Sequence, residues 1–155
     1  MEMGKPTEQH RKLEAMVGEW NGEEKMHASP WDPKGGNATS VTRARLEIDG
    51  FFVITDYVQK RGAQVSYRGH GVIGWDARLQ HYTMHWFDSM GCDPGPAALG
   101  TMDGKTLQFL QQHHMGHNRI TYGFDSKDRY TFKLEQSQDG KSWTPFIDGV
   151  YKRVS

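Results

Sequence analysis

The segment from Asn37 to Ile48 alternates. Thr42, Ala44, Leu46 and Ile48 fall on one side, with Arg43, Arg45 and Glu47 on the other. This is the period-two pattern of a strand with one buried face. Arg129 to Gln136 repeats it, setting Tyr130, Phe132 and Leu134 against Arg129, Thr131, Lys133 and Glu135, and His117 to Phe124 does the same through Ile120, Tyr122 and Phe124. Phe51 to Gln59 and Ala63 to Trp75 are apolar on both faces. Trp20 to His27, Lys105 to His113 and Trp143 to Val154 read as further strands. Turn signals separate them: Arg61-Gly62, Asp103-Gly104, Asp125 to Asp128, Asp139-Gly140, and Asp49-Gly50, which reads as a two-residue hairpin. Ala28 to Gly36 and Ser89 to Pro96 are Pro/Gly-rich loops. Only Thr7 to Val17 reads as a helix, with Thr7 as N-cap, a short apolar face of Leu13, Met16 and Val17, and Gly18 as its stop. The pattern predicts an all-β chain of about ten antiparallel strands after one short N-terminal helix. Sequential hairpins favour an up-and-down barrel, which leaves no exposed edge. Beyond eight strands, side chains fill a barrel less completely, so a cavity is expected.

The longest hairpin is Tyr67 to Gly91. One arm carries Val72, Ile73 and Trp75 and is thinned by Gly69, Gly71 and Gly74; the other carries Tyr82, Met84, Trp86 and Phe87. With a four-residue loop, Asp76 pairs with His81, Gly74 with Thr83, Val72 with His85 and His70 with Phe87. His70 and His85 then share one face, and Trp75, Tyr82, Met84 and Trp86 the other. A shift of one residue instead puts His70 beside Trp86, and both registers are open.

Composition narrows the function classes. The chain has 155 residues, enough for one domain spanning 1–155 with its own core, and its charges balance at 19 Lys and Arg against 19 Asp and Glu. Nucleic acid is not an expected partner, because phosphate binding needs clustered Lys and Arg. Nor is a membrane, because no apolar run reaches transmembrane length. Met1 to Met16 lacks the apolar core of a signal peptide, and Cys92 is the only cysteine, so the expected location is cytoplasmic.

Gly18-Glu19-Trp20 opens the first strand and Tyr151-Lys152-Arg153 ends the last. This pair resembles the Gly-x-Trp signature of lipocalins and other calycins. That resemblance implies that Trp20 closes the barrel floor with Arg153 stacked on its indole, both as structural residues. The stretches WDPKGG, DGFFVITDY, SYRGHGVIGWD, HWFDSMG, SQDGKSWTPF and VYKR resemble the bacterial family known as domain of unknown function 1579. The family is placed among the lipocalin-like calycins, and the likeness runs from about Gly18 to Arg153. It implies a closed barrel with a helix near one end and little about chemistry. The related nitrobindin family binds haem through a late-strand His, and His113, His114 and His117 lie in a late hairpin here. The longer motifs of that family are missing.

Three readings of function follow. In the first, the barrel binds a small, largely apolar or aromatic ligand, with Tyr57, Trp86, Phe109 and Tyr122 as walls and His70 and His85 as polar anchors pointing inward. In the second, the same cavity serves an isomerase- or cyclase-type enzyme with His70 as acid or base, Asp56 and Asp88 being candidate carboxylate partners. In the third, the barrel mainly packs itself or meets a partner through the Trp31 and Cys92 loops. Haem is a further alternative; otherwise no cofactor and no metal is expected, because the sequence lacks a Cys pair and a His-Glu-x-x-His motif. Ser137 to Trp143 resembles a shortened sialidase Asp-box, read here as a turn in which Asp and Ser bind backbone groups. The oligomeric state is open, a homodimer included.

Overall fold

The computed structural model describes residues 3–155; Met1 and Glu2, at the start of the expected 1–155 domain, lie outside the described residues. The chain begins with α1 (Glu8–Arg11), which continues directly into a 3-10 turn, Lys12–Met16. Ten strands follow among the described residues: β1 (Gly18–Met26), β2 (Gly36–Glu47), β3 (Phe52–Arg61), β4 (Gln64–Asp76), β5 (His81–Asp88), β6 (Ala98–Asp103), β7 (Thr106–His113), β8 (Gly116–Ser126), β9 (Arg129–Ser137) and β10 (Thr144–Arg153). Each strand pairs antiparallel with the next, and β10 returns to β1 to close the barrel. This is the expected all-β, up-and-down barrel.

Alternation sets the faces. In β1, Trp20, Gly22 and Glu24 are buried while Asn21, Glu23 and Lys25 are exposed; in β2, Ala38, Ser40, Thr42 and Ala44 are buried. One end of the barrel is solid. Trp20, Val53, Ile73, Tyr82, Leu107 and Phe109 are at most 1% exposed there, and Leu13 and Met16 of the helical segment pack into the same cluster. Trp20 donates its indole N–H to the Met16 carbonyl at 3.0 Å. The Arg153 guanidinium lies 4.3 Å from the Trp20 ring centroid and also donates to the Val17 and Lys127 carbonyls. The stacked pair therefore closes the floor and pins the helix to the last strand.

Local structure differs from the sequence expectation in three places. The helix is half 3-10, because its apolar positions crowd into Leu13, Met16 and Val17 and it must tighten to plug the floor. The Asp49-Gly50 turn is a four-residue loop, since Glu47 pairs with Phe52 and Ile48, Asp49 and Gly50 all take positive φ. Finally, β6 had no sequence signal of its own. It is short, and β5 pairs with it only through Tyr82 to Met84. Beyond those pairs the wall between β5 and β7 is notched, and the loop from residue 89 to 97 runs across the notch, tied by Gln111 donating to the Pro96 carbonyl at 3.1 Å.

Candidate functional site

The central hairpin adopts the four-residue loop. Asp76 pairs with His81, Gly74 with Thr83, Val72 with His85, Gly71 with Trp86 and His70 with Phe87. The inner face belongs to Tyr82, Met84 and Trp86. Gly69 and Gly71 are on that face too, because a Cβ at either position would overlap the Trp86 ring. The residue between them must therefore point outward. His70 stands on the outer wall, where its Nδ1 meets Asp56 Oδ1 at 2.7 Å, and Arg45 donates to the other Asp56 oxygen at 2.9 Å. His85, which shares His70's face, is exposed on the outer wall as well. The expectation that His70 and His85 point into the barrel is corrected. The flanking glycines make room for Trp86, not for His70, and acid–base chemistry by His70 inside the barrel goes with it. The Arg45 and His70 contacts hold the Asp56 carboxyl below its usual range, His70 contributing most.

The end of the barrel away from Trp20 is open, and inward side chains that frame the hollow at its mouth keep partial exposure: Tyr57, Tyr67, Trp86, Asn118, Phe132, Leu134 and Ile147. Tyr57 contacts both Tyr67 and Trp86 edge-on, with ring centroids 5.9 and 6.1 Å apart. Trp86 donates its indole N–H to the Tyr67 hydroxyl at 2.6 Å, and Tyr67 donates in turn to Asp88 at 2.7 Å. Phe109 and Tyr122 also face inward but lie deeper. Phe109 is fully buried against Gly100, and the Tyr122 hydroxyl meets the Met84 sulfur at 4.0 Å. Of the six residues expected to bind ligand, Tyr57 and Trp86 stand in the hollow, Phe109 and Tyr122 lie beneath it, and His70 and His85 are outside.

A buried carboxylate completes the hollow. Glu24 is 4% exposed. It accepts from the Tyr57 hydroxyl at 2.7 Å, the Tyr151 hydroxyl at 2.5 Å and the Gln59 amide at 3.4 Å. Burial first, and then the Glu24 charge, push both phenols up, so they stay protonated as donors at physiological pH. Ser66 donates to Gln59 Oε1 at 3.0 Å and extends the network. Sequence reading passed over Glu24 among three nearby glutamates, yet parity could have found it: once Trp20 faces inward, Gly22 and Glu24 must as well. The same count along β10 turns Tyr151 inward from Arg153.

The histidines of the late hairpin are engaged locally. His113 Nδ1 accepts from the Met115 N–H at 3.1 Å, and His117 lies beside Gly140. Among the described residues no three His, Cys, Asp or Glu side chains are grouped to hold a metal. Asp139 builds the turn expected of it, accepting from the Lys141 and Ser142 N–H groups and the Ser137 hydroxyl, and its carboxyl is held down to about 2 by those bonds. On the outer wall a broad open trough of about 1090 Å³ crosses β1, β2 and β7 to β10. Its threonines and paired charges gather no convergent chemistry. Among the described residues no helix is long and apolar enough to cross a membrane.

A family model described as "Protein of unknown function (DUF1579)" matches residues 5–153. None of the curated proteins matches the chain. Among solved structures, Rv2717c from M. tuberculosis superposes with a TM-score of 0.72 at 11% identity, covering 96% of this chain and 99% of that one. The S-type phycobiliprotein lyase CPES from Guillardia theta superposes with a TM-score of 0.64 at 9% identity, covering 97% and 99%. Identities this low show a shared lipocalin-like barrel fold.

Proposed function

This chain belongs to the DUF1579 family, and from that premise we propose that it binds a small, largely aromatic ligand in the hollow half of its barrel. The observation that carries this reading is a difference among inward aromatic and apolar side chains. Trp20, Val53, Ile73, Tyr82, Leu107 and Phe109 are sealed, whereas Tyr57, Tyr67, Trp86 and Phe132, equally inward, remain partly exposed. An aromatic-walled concavity with a few fixed polar groups is the usual form of a small-molecule site. The phycobiliprotein lyase is a barrel of the same fold, and its name supports the reading without identifying a ligand. A binding role is favoured over an enzyme because His70 lies outside. The single exposed Cys92 suits a reducing compartment such as the cytoplasm.

The test is titration with Nile red, a neutral aromatic dye, followed by its emission. The unaltered protein should bind it saturably. Trp86→Ala should weaken binding at least about tenfold, roughly 1.4 kcal/mol, while Phe87→Ala on the outer wall should leave it unchanged. No saturable binding, or equal loss in both variants, overturns the reading.

A further inference from the structure

We infer that the ligand of this hollow is a cation or strong N–H donor, held by Glu24 in the manner of a protonated aromatic amine; the inference rests on the binding reading above. Glu24 is buried, and its hydrogen-bond partners, Tyr57, Tyr151 and Gln59, are all neutral. Among the described residues no Lys, Arg or His lies within ion-pair distance of it. The arginines at either end of the barrel are engaged elsewhere: Arg61 with Asp32 at 2.9 Å, and Arg153 on Trp20 at the floor. Buried charges in proteins are ordinarily paired. This one has donors that fix its orientation but nothing that balances its charge.

A second observation points the same way. Asn118 faces inward from β8 between Gln111 and Gln136, and its Oδ1 is buried with no hydrogen-bond partner. The Ser40 hydroxyl, on the inner face of β2 opposite Gln59, is likewise buried and unpartnered. The interior therefore holds a carboxylate without a cation and an amide oxygen without a donor. A ligand bearing an ammonium supplies the charge that Glu24 lacks. The aromatic faces of Trp86 and Tyr57 add to the attraction for a cation, whereas an anionic ligand would meet Glu24 and Asp88 as like charges.

Three indole probes differing only in head group test this by calorimetry: tryptamine (ammonium), tryptophol (hydroxyl) and indoleacetate (carboxylate). The unaltered protein should bind tryptamine at least about tenfold more tightly than tryptophol, with indoleacetate weakest. Glu24→Gln, which keeps the shape and loses the charge, should bring tryptamine to the level of tryptophol. Equal affinities, a preference for indoleacetate, or a tryptamine preference that survives in Glu24→Gln overturns the inference. The ranking on the unaltered protein decides the matter even if Glu24→Gln fails to fold. Nile red binding without charge preference sinks only the cation assignment; no Nile red binding sinks the parent reading with it.

Discussion

Trp20 and His70 show how far one residue's role depends on which way it faces. Trp20 is 1% exposed, packs edge-on against Tyr130 at 4.6 Å and carries the Arg153 guanidinium on its ring. Trp20→Ala is expected to cost about 3–5 kcal/mol, the range for a large buried aromatic, measured by urea denaturation. A loss below 1 kcal/mol would show that the floor repacks. His70, by contrast, is in an exposed ion network with Asp56, Arg45 and Glu47. Exposed pairs contribute little, so His70→Asn should shift the unfolding midpoint hardly at all and leave Nile red affinity within twofold. A tenfold loss of affinity would return His70 to the site. The sequence could place Trp20 because a motif marked its side of the strand. It could not place His70, because β4 carries glycine and apolar residues on both faces and its parity is inherited from Trp86 on the neighbouring strand.

The N-terminal helical segment is where pH should act on an element. The Thr7 N–H donates to His10 Nδ1 at 2.9 Å, and the His10 ring, buried, meets Phe51 edge-on at 5.1 Å. Burial, and then the charge of Arg11, lowers the His10 pKa below 6.5. The folded state thus favours neutral imidazole. Its contribution is fully present above pH 6.5 and is lost as the pH falls through the lowered folded value. Protonation also turns the Nδ1 acceptor into a donor and removes the cap. Lowering the pH from 7 to 5 should therefore loosen the helical segment, seen as weaker amide protection at Arg11 and Val17 once the intrinsic pH dependence of exchange is divided out, and His10→Gln should abolish that change in protection. Unchanged protection would place the docking elsewhere. The strands were legible because alternation is a local property. The weak elements were not. The six-residue β6, Ala-Leu-Gly-Thr-Met-Asp, follows a proline loop with few β-branched or aromatic residues, and the 3-10 half of the helix is set by the floor it plugs.

For the molecule as a whole, closure makes every strand depend on two neighbours, so no strand should melt alone. Far-UV ellipticity and tryptophan emission are expected to report one coincident thermal transition; two separated transitions would mean that the hollow half unfolds before the floor. The barrel architecture could be read from hairpin order and turn spacing, whereas the register of the central hairpin could not, because two loop lengths fit the sequence. The hollow half could not be read, because it depends on how large side chains from ten strands share one interior. The short β6 interrupts that closure at one place. Residues 85–88 of β5 are paired to β4 on one side but have no β6 partner on the other. Backbone amides along an antiparallel strand point alternately to its two sides. In deuterated solvent these residues should therefore exchange in a stripe, every second amide fast and the intervening ones slow, beside Trp86. A ligand seated there would be felt first as a slowing of the fast set.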